Sequence, residues 1–296
     1  MFIALGTAAW SYGSDSYYGH SLTATALQPV MNEALTAGIK VIDTALSYSN
    51  GESEKLIRDT LLGHPRSSYQ LYSKFSPWLG ISVAESIRHS LDNLGTDYLD
   101  LYWLHDASNS AADLREIKPF LDSGVIRAVG VSNHSLAEVK AAQKILPISA
   151  VQNHFSLIYR RSVDSGLLDY CHEEELDFFA YMLFEQGALA GSYSALNPFP
   201  RGTYRASHYN SHWDALRPLQ ERIAEAAQAH DCSPAAILTA QAAKLGISPI
   251  IGATKPGQIT ASLEAMNRLS PAEAEQLYIC AQQTGLNLAT GWEGDS

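Results

Sequence analysis

Eight short apolar runs, each separated from the next by an amphipathic stretch, constrain the fold of this chain more than any other feature. They lie at residues 2–7, 39–43, 70–74, 99–105, 126–131, 150–152, 177–181 and 249–252. Runs this continuously apolar suit parallel strands buried on both faces. The intervening stretches carry helix signals. Ser82 and Glu85 have capping-box spacing, followed by Val83, Ile87, Leu91 and Leu94 and a stop at Gly95. Ser135 and Glu138 repeat the device ahead of Val139, Ile145 and Leu146. Leu27, Val30, Met31, Ala34 and Leu35 mark an apolar helix face that Gly38 ends, and Ser233-Pro234 is a cap-then-proline start. Strand–helix alternation at roughly 30 residues per unit predicts an α/β fold, a single (β/α)8 TIM barrel over residues 1–296. A doubly wound sheet would want a G-x-G-x-x-G turn after its first strand, and the chain has none. One interval is too long for a single helix. Residues 185–212, rich in Gly, Ser, Tyr, Asn, Pro and Arg, read as a long lid loop after strand 7, with an extra helix near 213–230.

Composition narrows the partners. With 46% hydrophobic residues the chain can fill one large core. Its net charge of -11 makes it a poor partner for nucleic acid or an anionic membrane face, so any anionic ligand needs a local basic site. Cys171, Cys232 and Cys280 lack paired spacing, which predicts a reducing compartment without disulfides or zinc. The start has no basic leader, and no apolar run approaches bilayer length. A cytoplasmic protein is expected, monomeric or a small homo-oligomer, acting on a small molecule. His105, His134 and His154 stand alone on different segments, which argues against a metal-dependent barrel hydrolase.

Four ionisable residues fall at or just past strand ends: Asp43, Tyr48, Lys74 and His105. In this barrel class the chemistry sits at the C-terminal ends of the strands. Singly, each has an ordinary reading: a packing tyrosine, a satisfied ion pair, a rim histidine. Together, a phenol beside a lysine, an aspartate and a histidine can deliver a proton to a carbonyl oxygen.

At these residues the chain resembles the aldo-keto reductase family. Gly38 through Ala45, with Tyr48, Gly51, Ser53 and Glu54, looks like the first family signature. Leu71-Tyr72-Ser73-Lys74 looks like the lysine strand, and Asp97 through His105 like the histidine strand. Gly124 through Asn133, Val151-Gln152-Asn153, and Ile251 through Gln258 match three more, in order, between about Leu5 and Leu269. The resemblance implies hydride transfer between NADPH, with NADH less favoured, and the carbonyl of an aldehyde or ketone, reversibly and without a metal. Tyr48 would be the general acid. Lys74 would lower its pKa, Asp43 would hold Lys74, and His105 would orient the carbonyl. The alternative is a nicotinamide-binding sensor or regulatory barrel with slow or no turnover.

The resemblance also assigns cofactor contacts. Ser132, Asn133 and Gln152 would bond the nicotinamide carboxamide, and Tyr181 would stack on its ring. Gly6, Thr7, Asp43, Met182, Phe184, Gln186, Gly187, Gly252 and Ser262 would line the rest. A helix beginning near Pro256 would receive a phosphate, with Thr254, Lys255 and Gln258 at its start and Lys255 as partner of a 2'-phosphate. Arg201 and Arg205 in the lid would clamp phosphates. The chain departs from the family where Tyr181 is followed by Met182-Leu183-Phe184 instead of Ser-Pro-Leu. Ser192, Ala261 and Ser262 replace a lysine, an acidic residue and an asparagine. Trp10, Tyr48, Trp78 and His105 are the leading substrate contacts, with Tyr12, Tyr17, Tyr18, Asp106, His154 and Phe155 as further candidates. Several aromatics beside few charges suit an apolar or aromatic carbonyl compound, or a sugar stacked on a ring.

Overall fold

A computed structural model describes residues 2–10, 22–289 and 291. Among them, eight parallel strands close on themselves in chain order. They are β1 (Ala4–Gly6), β2 (Val41–Asp43), β3 (Gln70–Phe75), β4 (Leu101–Leu104), β5 (Val129–Ser132), β6 (Ala150–His154), β7 (Asp177–Tyr181) and β8 (Ser248–Gly252). Each coincides with one of the apolar runs. The expected (β/α)8 barrel is therefore the fold. Four of the strands, β1, β2, β4 and β5, are shorter than their runs, because flanking residues such as Ile39 and Leu99 bury apolar side chains just ahead of them.

Helices α1 (Ala24–Thr36), α2 (Glu52–Thr60), α3 (Val83–Leu94), α4 (Ser110–Asp122) and α5 (Leu136–Gln143) follow β1 to β5 in turn. Both expected capping boxes form, at Ser82–Glu85 and Ser135–Glu138. Short helices α6 (Arg161–Asp164) and α7 (Leu167–Glu173) together follow β6. After β7 come α8 (Tyr204–Tyr209), α9 (Trp213–Ala229) and α10 (Pro234–Lys244), and after β8 come α11 (Gln258–Leu263) and α12 (Pro271–Gln283). The extra helix expected near residue 213 is α9.

The barrel holds a small core of its own. Tyr72, Trp103 and Phe179 meet edge to face, with ring centroids 5.7–6.1 Å apart, among Ala4, Val41, Leu101, Ala150 and Ile250. Phe2 stacks on Phe179 at 6.2 Å and covers one side of that cluster. Trp103 fits because its neighbour across the ladder is Gly130. A Cβ there would come within 2.3 Å of the indole. A much larger apolar layer lies between the strands and the helices. The stretch read as a lid is folded down at its far end. Phe199 stacks on Tyr193 and Trp213, and Tyr209 is wholly buried.

Candidate active site

Strand register brings the four residues to one end of the barrel. Asp43 ends β2, and Lys74 lies one residue before the end of β3. His105 extends the ladder past β4, its N–H donating to Phe75 O at 2.9 Å. Tyr48 begins a tight helical turn after β2. Lys74 is wholly buried. Its ammonium donates to Asp43 Oδ1 and, at 2.7 Å, to Thr44 O. Asp43 Oδ2 accepts from Trp103 Nε1 and Gln152 Nε2, both at 2.9 Å. A carboxylate buried this deeply survives because its cation and two further donors surround it. Lys74 Nζ lies 5.1 Å from the centre of the Tyr48 ring, and the Tyr48 and His105 rings are 6.0 Å apart at 75°.

The turn that presents Tyr48 is strained. Ser49 and Asn50 have φ of 50° and 54°, and Gly51 follows at 85°. The conformation at Gly51 favours glycine, and a Cβ there would also displace the tip of Asn93, whose Nδ2 would lie 2.4 Å away. Asn133, Met182, Glu185 and Gln186 are also left-handed. Six of the eight non-glycine residues with positive φ among the described residues thus follow the C-terminal ends of β2, β5 and β7, where strain of this kind clusters at functional sites.

Electrostatics corrects one expectation. Burial, and then Asp43, push the Tyr48 phenol above its ordinary pKa instead of below it. The reason is burial: with little water around it the phenolate is disfavoured, and the nearby Asp43 carboxylate adds to that. Tyr48 therefore keeps its proton through neutral pH. Burial lowers the Lys74 ammonium, with Asp43 opposing. Burial and then the Lys74 charge hold His105 well below its ordinary value, so its ring is neutral at pH 7. His105 Nδ1 lies 2.8 Å from Ser76 Oγ, which donates to Ser47 Oγ at 3.0 Å. Trp78, 59% exposed, stands 4.9 Å from the His105 ring.

The expected cofactor residues divide into open and committed groups. Ser132 Oγ is buried at the end of β5 with no partner among the described residues. Asn133 donates to His105 O and accepts from Tyr181 OH at 2.7 Å, so it ties the Tyr181 phenol to the backbone at His105. Gln152 commits its amide N–H to Asp43. Thr7 is fully buried; its hydroxyl donates to Asp43 O and accepts from Ser53. Gly6, beside it, is also buried. Met182, Phe184, Gln186 and Gly187 form a half-buried turn around the buried Glu185. Glu185 accepts from Tyr209 OH at 2.6 Å and from Ser156 Oγ, and His154 Nε2 lies 2.8 Å away. Arg205 sits with its guanidinium 5.0 Å from the Phe199 ring centre, which engages it inside the loop. Gly252, Lys255 and Gln258 are exposed and Thr254 is half-buried, while Ser262 bonds back to Gln258 O.

The substrate candidates also separate. Trp10 is wholly buried and donates to Ala253 O, so no part of it is open to a ligand here; the reason is that the 2.8 Å bond pins its indole under the loop after β8. His154 and Phe155 are buried too. Tyr12, Tyr17 and Tyr18 lie outside the described residues. Sequence reasoning missed Trp103 and Ser76. Trp103 had a signal, because it stands two residues before His105 and strand alternation puts both on the inner face. Among the described residues no three His, Cys, Asp or Glu side chains gather as metal ligands, and no helix is long and apolar enough to cross a membrane.

Comparison with known proteins agrees with this geometry. The profile of the Aldo/keto reductase family matches residues 3–282. A protein of Mycobacterium tuberculosis (strain ATCC 25618 / H37Rv), named as an uncharacterized oxidoreductase, is 28% identical over 97% of this chain and 91% of its own length. An aldo-keto reductase from Klebsiella pneumoniae, solved with NADPH, is 26% identical with a TM-score of 0.70, over 93% of this chain and 89% of that one. Glycerol dehydrogenase AKR11B4 from Gluconobacter oxydans shares the fold at a TM-score of 0.80 and 20% identity, over 95% and 91% of the two chains. The chain belongs to the aldo/keto reductase family, and as such is an oxidoreductase.

Proposed function

We propose that this chain reduces the carbonyl of an aldehyde or ketone, reversibly, with a nicotinamide cofactor as hydride source and Tyr48 as proton donor. One observation carries the reading. A phenol that holds its proton stands beside a neutral imidazole and above a buried lysine–aspartate pair, at the mouth of the barrel.

The residues fit such a cofactor. A buried hydroxyl without a partner, Ser132 Oγ, costs about 1–3 kcal/mol unless a ligand group satisfies it, and a carboxamide can do so. Asn133 and Gln152 flank it with amides, and the half-buried Tyr181 ring offers a face for stacking. NADPH is the form named with the Klebsiella pneumoniae relative.

When bound, the reduced nicotinamide supplies the hydride. The chain's own part is the proton. Tyr48 OH gives its hydrogen to the carbonyl oxygen as negative charge develops there. The phenolate left behind is stabilised by the Lys74 ammonium, which has two hydrogens committed to Asp43 and Thr44 and a third remaining. Asp43, held by Trp103 and Gln152, keeps Lys74 in place. Ser76 at Nδ1 holds the His105 ring in place beside Tyr48. Trp78 gives the substrate an aromatic wall, suited to an apolar or aromatic carbonyl compound or to one face of a sugar.

The test is oxidation of NADPH and of NADH with a panel of aldehydes, ketones and sugars, run beside cofactor titration by tryptophan quenching. Turnover on some carbonyls is expected. Tight cofactor binding with no oxidation on any of them would overturn the reading in favour of a sensor barrel.

A further inference from the structure

In (β/α)8 barrels a phosphate commonly sits where the loops after strands 7 and 8 meet the N-terminus of a short helix. Here that place is the start of α11, where Thr254, Lys255 and Gln258 were expected to receive one. The structure has already filled it. Glu33, reaching across from α1, accepts from Gly257 N–H at Oε2 and from Thr260 N–H and Thr260 OH at Oε1, each at 2.7 Å. Gln258 Oε1 accepts from Thr254 N–H at 2.8 Å and Lys255 N–H at 2.9 Å. The amides that would meet a phosphate are thus bonded within the chain, and the principal acceptor is itself an anion.

We propose that Glu33 sets the cofactor preference of this protein: its carboxylate stands in the place of an adenosine 2'-phosphate, so NADH serves about as well as NADPH. The proposal rests on the reading of the barrel mouth as a nicotinamide site. Two anions repel, and a phosphate offers Glu33 nothing to bond. A ribose hydroxyl is a donor, and in dinucleotide-binding sites a carboxylate is the usual partner of the ribose of NAD. The surroundings do little to compensate. Lys255 is a single exposed ammonium on a flexible stem. Ser262, where the family has an asparagine, is buried and donates to Gln258 O at 2.7 Å. Ala261 has no polar group.

Burial pushes the Glu33 carboxyl up, but the donors on Thr260, Gly257 and Ile259 together outweigh it and hold it below its ordinary value. The group is ionised at neutral pH, so the repulsion is present under working conditions. It also explains how one carboxylate can discriminate although it is half-buried: its position is fixed by three short bonds.

The experiment is titration of tryptophan fluorescence with NADPH and with NADH, on the wild-type chain, Glu33→Gln and Glu33→Ala, with thermal melting as a check on the fold. The wild type is expected to bind the two cofactors within about tenfold of each other. Removing the charge should move the ratio toward NADPH by tenfold or more, about 1.4 kcal/mol, with NADH affinity unchanged or weaker. A wild type that prefers NADPH a hundredfold, or a ratio unmoved in whichever variant folds, would overturn the role of Glu33 while leaving the nicotinamide site intact. Binding of neither cofactor to the wild type would overturn that site and this inference together.

Discussion

The barrel contains two aspartate–cation clusters, one at each end, and they are built differently. At the C-terminal mouth Asp43 pairs with Lys74, and both side chains are almost wholly buried. At the opposite end Asp100, just ahead of β4, meets Arg66 at 2.7 Å and Arg127 at 3.4 Å, on side chains 13–55% exposed. Both arginines also lie over the Tyr98 ring, at 3.9 and 3.5 Å, and Asp100 accepts from Leu71 N–H. Arginine is always charged and its planar fork suits a fixed joint. Lysine is a point charge whose pKa yields to burial, and burial does lower it here. A structural joint wants the first kind of cation, and a proton-transfer site the second. The backbone divides in the same way, since the strained, left-handed residues crowd the mouth.

Several changes would break or sharpen this contrast. The largest effect is expected from Lys74→Met. Loss of the phenolate's cation should lower kcat by ~10²–10⁴, and the unpaired Asp43 should cost about 3–5 kcal/mol of stability. Steady-state kinetics and urea unfolding would measure the two. Trp103→Phe removes one donor from Asp43 and should destabilise by about 1–3 kcal/mol, with a smaller fall in kcat. Asp100→Asn should cost a similar amount of stability, about 1–3 kcal/mol, yet leave kcat within a factor of about two of wild type. A drop in kcat there comparable to that of Lys74→Met would erase the distinction between the two ends.

The smallest effect concerns pH. The unfolded chain protonates His105 near 6.5, and the folded chain only well below that. Its contribution to stability is therefore complete above about pH 6.5 and is lost as pH falls, by up to about 1.4 kcal/mol per unit. Urea midpoints at pH 7.5 and 5.5 should differ less in His105→Gln than in wild type. Reduction should show no inflection near 6.5, because the imidazole is already neutral there.

How much of this was legible before the structure depends on the range of the forces involved. The strands were legible because burial on both faces leaves near-continuous apolar runs, as at Leu71 and Val129. The quartet was legible because the chemistry fixes residue type and the fold fixes position. The direction of the Tyr48 shift was not, since it turns on how far the closed barrel strips water from the phenol. Nor was the role of Glu33, whose partner Gly257 is 224 residues away with no local pattern to announce it. Trp103 lies between these cases. Its inward position follows from alternation, but its bond to Asp43 needs the closed barrel.

The central claim is that Tyr48 supplies the proton, and Tyr48→Phe tests it most directly because one hydroxyl is lost and the ring remains. The account predicts a fall in kcat of ~10²–10⁴, with tryptophan quenching by NADPH and NADH unchanged. Near-normal turnover in that variant would contradict it.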